Sequence, residues 1–274
     1  MDESNERPFT FGSAMVWTII ALFLDLFFIG MSESSRAGAS YDLVSRTACQ
    51  AIAYSIALFG ILRIHEPETS IRHILGLRAP SPVAIVLALA LGAALSLPSS
   101  FLDNLLDARF PRPAEETEAL ERILTVSTLG KRIALVVTLA VIQPALDELF
   151  FRGALFTPLR RTRTVETVIV ASAALETLGT LNPRAMVTLL VATLVFAWLR
   201  AATGSIWPSI VARMAYFGVE VVPIALGRAA PKPTHLLVLA SGGIAVLSLL
   251  GIAWLARRRA TMAAAATVGP PPSS

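Results

Sequence analysis

Long apolar blocks separated by short polar stretches rich in arginine and proline set the pattern of this chain. A helix needs about 20 mostly apolar residues to cross the hydrocarbon of a bilayer. Blocks near that length cover 13–31, 47–62, 81–102, 165–181, 185–202 and 236–256. Two more follow Lys131-Arg132 and Gly204-Ser-Ile-Trp-Pro208, where tryptophan suits the interface and proline the first helical turn. The pattern predicts an all-α polytopic transmembrane helical bundle of about eight spans, forming one membrane domain over 13–256. A polar tail is expected over 1–12, and a basic stop with a disordered, Pro-rich tail over 257–274.

The polar connections carry their own pattern. Between the second and third spans, Ile71, Ile74, Leu75 and Leu77 recur at helical spacing among His65, Arg72, His73 and Arg78, which predicts an amphipathic piece at the interface. After the third span, Glu115, Glu116, Glu118 and Glu121 follow Pro111-Arg-Pro113 in an acidic loop over 103–130, where a short helix outside the membrane is expected. Arg160, Arg161 and Arg163 follow the fourth span, and Arg257-Arg-Arg259 the last. Positive residues stay cytoplasmic, so both termini are expected inside and the acidic loop outside.

Composition agrees with a membrane protein. Of 274 residues, 55% are hydrophobic and 15% charged, and the mean hydropathy is +0.68. The net charge of +4 comes mainly from arginines at segment ends, which points to topology rather than to nucleic-acid binding. Cys49 stands alone, so it forms no internal disulfide and no thiolate metal site. The histidines are His65, His73 and His235, and no His/Cys cluster offers zinc a set of ligands; no metal and no cofactor is expected. Neither an internal repeat nor a phosphate-cradling glycine loop is visible. The Ala/Arg/Leu-rich composition with one cysteine fits a bacterial inner membrane.

The candidate chemistry lies at the end of the fourth span, in Pro144-Ala-Leu-Asp-Glu-Leu-Phe-Phe-Arg-Gly153. Ionisable groups in lipid are costly, and a functional reading is their default. Glu148 and Arg152 are four apart with the acid first, which suits an ion pair on one helix face. Asp147 lies about 100° around the helix and is expected free to face a cavity. A held carboxylate beside a free one is a way to build a catalytic base. It is equally a way to lock two membrane helices together, since ion networks also hold carboxylates without catalysis. Asp25 in the first span is expected to face other helices in a structural role.

Asp147-Glu148-Leu-Phe-Phe-Arg152 resembles the Glu-Glu-x-x-x-Arg signature of the CPBP family, the intramembrane proteases related to CAAX prenyl endopeptidases and bacteriocin self-immunity proteins. His73-Ile-Leu-Gly-Leu-Arg78 resembles that family's LGLR stretch, and Gly204-Ser-Ile-Trp-Pro-Ser-Ile210 its GSLWPAI opening of a late helix. The resemblance covers about 72–220 and implies the CPBP-type intramembrane protease fold. It further implies a glutamate-based endopeptidase whose first glutamate activates water. Two histidines, from Phe-x-x-x-His and His-x-x-x-Asn/Asp motifs on later helices, would bind water and the scissile carbonyl, and the asparagine would stabilise the oxyanion.

Several of those positions differ here. Asp147 replaces the first glutamate and shortens its reach by one methylene; a misplacement of order 1 Å can lower a rate about 100-fold. Glu176 stands where the family has phenylalanine and Thr180 where it has histidine. On the later helix Arg213 takes the second histidine position and Phe217 that of the asparagine. The catalytic candidates are therefore Asp147, Glu148, Arg152, Thr180 and Arg213, with Phe151, Glu176 and Phe217 lining the cavity. A threonine can hold a water and an arginine can stabilise an oxyanion. Arginine is permanently charged, however, and does not shuttle protons near neutral pH. A new cation at 213 and a new anion at 176 are expected to pair within the old site and to fill its water position.

These features imply a degenerate family member that binds membrane-embedded or lipidated C-terminal segments with little proteolysis. The alternative is an active endopeptidase that processes such segments. A third reading, an ion-coupled transporter using Asp25, Glu176 and Glu220, lacks paired broken helices or an inverted repeat. The expected partners are the lipid bilayer, a membrane-anchored substrate or client, and an active paralogue that the chain could scaffold.

Overall fold

The computed structural model describes residues 8–125, 127–180 and 182–267. Among these the regular structure is helical, and no strand forms. Helix α1 (Phe11–Ser35) starts at a reciprocal cap between Thr10 and Ser13, and α2 (Leu43–His65) returns antiparallel to it. A single turn, α3 (Ile71–Ile74), leads into α4 (Pro82–Arg109), capped by Ser81 with proline in its first turn. The short α5 (Ala114–Leu124) buries no residue. Then come α6 (Leu129–Thr162), α7 (Val165–Gly179), α8 (Pro183–Thr203), α9 (Trp207–Ala225) and α10 (His235–Thr267).

The all-α bundle is as expected, with seven helices among the described residues long and apolar enough to cross a membrane. The eighth expected span, α7, has 15 residues, about 22 Å of helix against about 30 Å of hydrocarbon. It still joins the two ends of the bundle. Val165 shares a pocket with Arg200 and Gly204 at one end, and Asn182, just beyond α7, shares a cavity with Ser99 and Glu220 at the other.

Other boundaries also differ from expectation. Helix α4 runs seven residues past 102 to Arg109, because nothing breaks it before Pro111. Asp103 and Asp107, expected in the loop, are thus helical and lie beside Arg112, whose Nη2 donates to Asp103 Oδ2 at 2.5 Å. Helix α10 continues through the arginine triplet to Thr267, since arginine and alanine are good helix formers and no breaker precedes Gly269. The expected tail therefore begins no earlier than 268, and 268–274 as well as 1–7 lie outside the described residues. The α3 segment is two-faced: Ile71, Arg72 and His73 are exposed, and Ile74 and Leu75 are buried against the bundle. Thr157 Oγ1 on α6 donates to the Ile74 carbonyl at 2.6 Å and holds it there.

Side-chain size sorts these helices. On α1 the buried positions are Ala14, Thr18 and Ala21, whereas Phe23, Leu26 and Phe27 face outward. Small inward residues let backbones approach where lipid offers no hydrophobic drive between helices. Three apolar clusters form among the described residues, two of them large. Phe150, Leu155 and Leu159 of α6 pack with Ala53 and Ile61 of α2 and Leu175 of α7. Leu91 of α4 packs with Phe196 of α8, Tyr216 of α9 and Ile252 of α10. The polar site lies where these halves meet.

The tightest approach is between α4 and α9, where a Cβ on Gly92 would land on the Ala212 carbonyl. Gly92→Ala is therefore expected to cost about 1–3 kcal/mol through overpacking, despite alanine's better helix propensity. Gly30→Ala, where a Cβ meets nothing, serves as control. Thermal midpoints in detergent check this: the Gly92 variant should melt lower than wild type and the Gly30 variant should not.

Candidate functional site

The site is built on a helix that departs from α geometry twice. Helix α6 widens into π-helical turns over Val137–Ile142 and Leu149–Leu155. Pro144 accounts for the first, because it lacks the N–H that would bond to the Ala140 carbonyl. The second contains Arg152 and Gly153. There the absence of a side chain on Gly153 lets Leu75 press against the helix. Such turns redirect side chains and leave carbonyls free, which is why they recur at functional sites.

Five charged side chains from three helices meet at this level. On α6, Arg152 Nη1 lies 3.5 Å from Glu148 Oε1, so the expected four-residue pair forms. Arg152 Nη1 also bonds to Glu176 Oε2 of α7, and its Nη2 donates to the Thr193 carbonyl of α8 at 2.6 Å. Arg213 of α9 enters from the other side. Its Nη2 donates to Asp147 Oδ2 at 2.8 Å, and its Nη1 to Glu148 Oε1 at 3.1 Å and to Glu176 Oε1. Gln50 Nε2 of α2 donates to Asp147 Oδ1 at 2.9 Å. Both carboxylate oxygens of Asp147 are thus occupied, contrary to the expectation that it stands free.

Burial makes these contacts consequential. The Glu148 and Arg152 side chains have no exposed surface, and Arg213 and Glu176 keep 4% each. Charges taken out of water need partners, because their mutual attraction must offset a large desolvation cost. Three carboxylates and two guanidinium groups give a formal balance of −1, so the arginines are the scarce component. The Phe196 and Phe217 rings, each 5.8 Å from the Arg213 guanidinium carbon, add cation–π contact and shield it.

The other candidates fall outside this cluster or at its edge. Thr180 Oγ1 donates to the Thr177 carbonyl at 2.8 Å just past the end of α7, one turn beyond Glu176. Phe151 is buried against Tyr54, edge to face at 6.2 Å. Phe217 separates Arg213 from a cavity of about 540 Å³ at the α4–α5 end, which is also lined by Tyr216 and by Glu220 hydrogen-bonded to Ser100. Asp25 is half-buried on α1, and its Oδ1 has no hydrogen-bond partner among the described residues. The histidines lie elsewhere: His65 against Phe9, His73 on α3 and His235 against Phe101.

Two contributors escaped the sequence reading. Gln50 carried a signal, a lone amide within an apolar run. Thr193 carried none, because it acts through its backbone carbonyl.

Residues 129–218 match a family described as Rce1-like, the type II CAAX prenyl endopeptidase Rce1-like family. That stretch contains Asp147, Glu148, Arg152, Glu176 and Arg213, the whole charged cluster. No curated protein and no solved structure matches the chain significantly.

Removing Arg213 would leave three carboxylates to Arg152 alone. Arg213→Met is expected to destabilise the protein by about 3–5 kcal/mol. Adding Glu176→Gln to it should recover part of the loss. Unfolding midpoints of the purified variants check this, and an Arg213→Met protein as stable as wild type would rule out the pairing.

Proposed function

For a membrane protein whose residues 129–218 match the Rce1-like CAAX-protease family, we propose a non-proteolytic role: binding membrane-embedded or lipidated C-terminal segments of client proteins. The observation that carries this reading is the position of Arg213, bonded at once to Asp147, Glu148 and Glu176.

Peptide hydrolysis by a carboxylate base needs a water within hydrogen-bond reach of a free lone pair, and a donor aimed at the developing oxyanion. Asp147 already accepts from Arg213 and Gln50, and both bonds stabilise its charged form and weaken it as a base toward a water on a remaining lone pair. Arg213 Nη1 is shared between Glu148 and Glu176 and Nη2 is held by Asp147, which leaves an oxyanion only the second Nη2 hydrogen and the buried Nε, unpartnered among the described residues. Phe217, at the position where the family's asparagine is implied, has no donor. The arrangement favours holding helices together over moving protons.

A second reading, an active endopeptidase, draws on two details. The Asp147 side chain keeps 15% exposure, more than any other acid of the cluster, and Glu148 Oε2 has no hydrogen-bond partner among the described residues. In that reading a substrate would pull Arg213 aside and expose Asp147.

We place both termini on the cytoplasmic side of a bacterial inner membrane. The arginine runs at 160–163 and 257–259 support this orientation.

The two readings separate in a reconstitution with a farnesylated, membrane-anchored peptide. Wild type is expected to crosslink to the peptide without cleaving it. A variant carrying Asp147→Glu, Glu176→Phe, Thr180→His, Arg213→His and Phe217→Asn tests whether restored chemistry finds a bound substrate in place. Cleavage by wild type that disappears in Asp147→Ala would overturn the non-proteolytic reading.

A further inference from the structure

The sequence stretch His73–Arg78 precedes the matched region and Gly204–Ile210 lies near its end, and the structure joins them. The Ile206 N–H donates to the Gly76 carbonyl at 3.1 Å, and Ser205 Oγ to the Arg78 carbonyl at 2.6 Å. Both glycines turn with positive φ, 64° at Gly76 and 66° at Gly204. The joined stretches enclose a pocket of about 450 Å³ at the end of the bundle where α6 and α8 finish and α7 begins.

The lining of this pocket has one sign of charge. Arg78, Arg160 and Arg200 line it with His73 and Thr157, and neither Asp nor Glu does. Arg78 and Arg160 are exposed, whereas Arg200 retains 7% of its surface. The Arg200 guanidinium lies against Gly76, where any side chain would collide with it. Its Nε donates to the Arg152 carbonyl at 3.2 Å, and its Nη2 to Thr157 Oγ1 at 3.2 Å. Among the described residues no partner holds its Nη1, and no ion pair involves Arg78, Arg160 or Arg200.

This contrasts with the other buried arginines. Arg152 and Arg213 each bond to carboxylates, whereas Arg200, also buried, has only neutral acceptors. A buried guanidinium without a counter-charge is costly, and guanidinium groups pair best with multi-oxygen anions. We propose that this pocket binds a phosphate group, with Arg200 at its base and Arg78 and Arg160 at its rim. The pocket sits at helix ends, the level of lipid headgroups, so the phosphate can come from an anionic phospholipid or from solution. Occupancy would also fix Arg200, whose Nε holds a carbonyl within the π-helical turn of Arg152.

The test uses the full chain purified in an uncharged detergent. Its unfolding midpoint is titrated with dioctanoyl phosphatidylglycerol, with dioctanoyl phosphatidylcholine and with inorganic phosphate. Phosphatidylglycerol is expected to raise the midpoint at concentrations where phosphatidylcholine does not. Arg78→Gln and Arg160→Gln, both at exposed positions, should each weaken the apparent affinity about five-fold. Arg122→Gln, on α5 at the opposite end of the bundle, should leave it unchanged.

Protection by inorganic phosphate as well as lipid would assign the pocket to the phosphate alone, and protection by lipid only to the headgroup. Equal affinity in wild type and the Arg78→Gln, Arg160→Gln double variant overturns the site. So does equal protection by phosphatidylcholine, or no protection by either phosphate source.

Discussion

The Arg213 guanidinium is the group on which the arrangement of this bundle depends. It lies among three carboxylates carried by α6 and α7 and reaches them from α9, at the boundary of the two large apolar clusters. In a medium with little water, each of those acids is tolerable only because a cation meets it. The balance is narrow, because Arg152 is the other guanidinium in the cluster and also holds α8 through the Thr193 carbonyl. Four helices therefore converge on two arginines. Gln50 adds a fifth helix through Asp147.

That convergence gives the π-helical turns of α6 a purpose. An α-helix would carry Asp147, Glu148 and Arg152 at fixed 100° steps. The widened turn over Leu149–Leu155 resets the angle at which Arg152 leaves the helix, and it frees a carbonyl that Arg200 then caps. Arg200 in turn crosses Gly76, in the loop between α3 and α4. The charged cluster and the basic pocket are thus linked through one backbone carbonyl. The two regions differ in sign: the cluster has a formal excess of one acid, and the pocket is lined by cations without acids.

Much of this was legible in the sequence, and the reasons for the rest are physical. Apolar blocks revealed the bundle because the bilayer imposes a length on each helix. The Glu148–Arg152 pair followed from spacing. The closure of Glu176 and Arg213 on each other followed from charge balance, since neither could stand alone in lipid. The partner of Asp147 was less accessible. Its freedom was inferred from one helix, and the residues that bind it come from α2 and α9, which spacing along α6 cannot reveal. Helix ends were blurred because arginine and aspartate extend a helix beyond the membrane as readily as they stop a span, as α4 and α10 both show. Thr180 was placed by register alone, and α7 ends one residue before it.

The most direct measurement is an experimental density map of the protein in a lipid nanodisc, at a resolution that separates a guanidinium from a water. A closed site predicts Arg213 density continuous between Asp147 and Glu176, with no ordered water on Asp147. Arg213 turned away, with a water bridging Asp147 and Glu148, would contradict it and return the site to hydrolytic geometry.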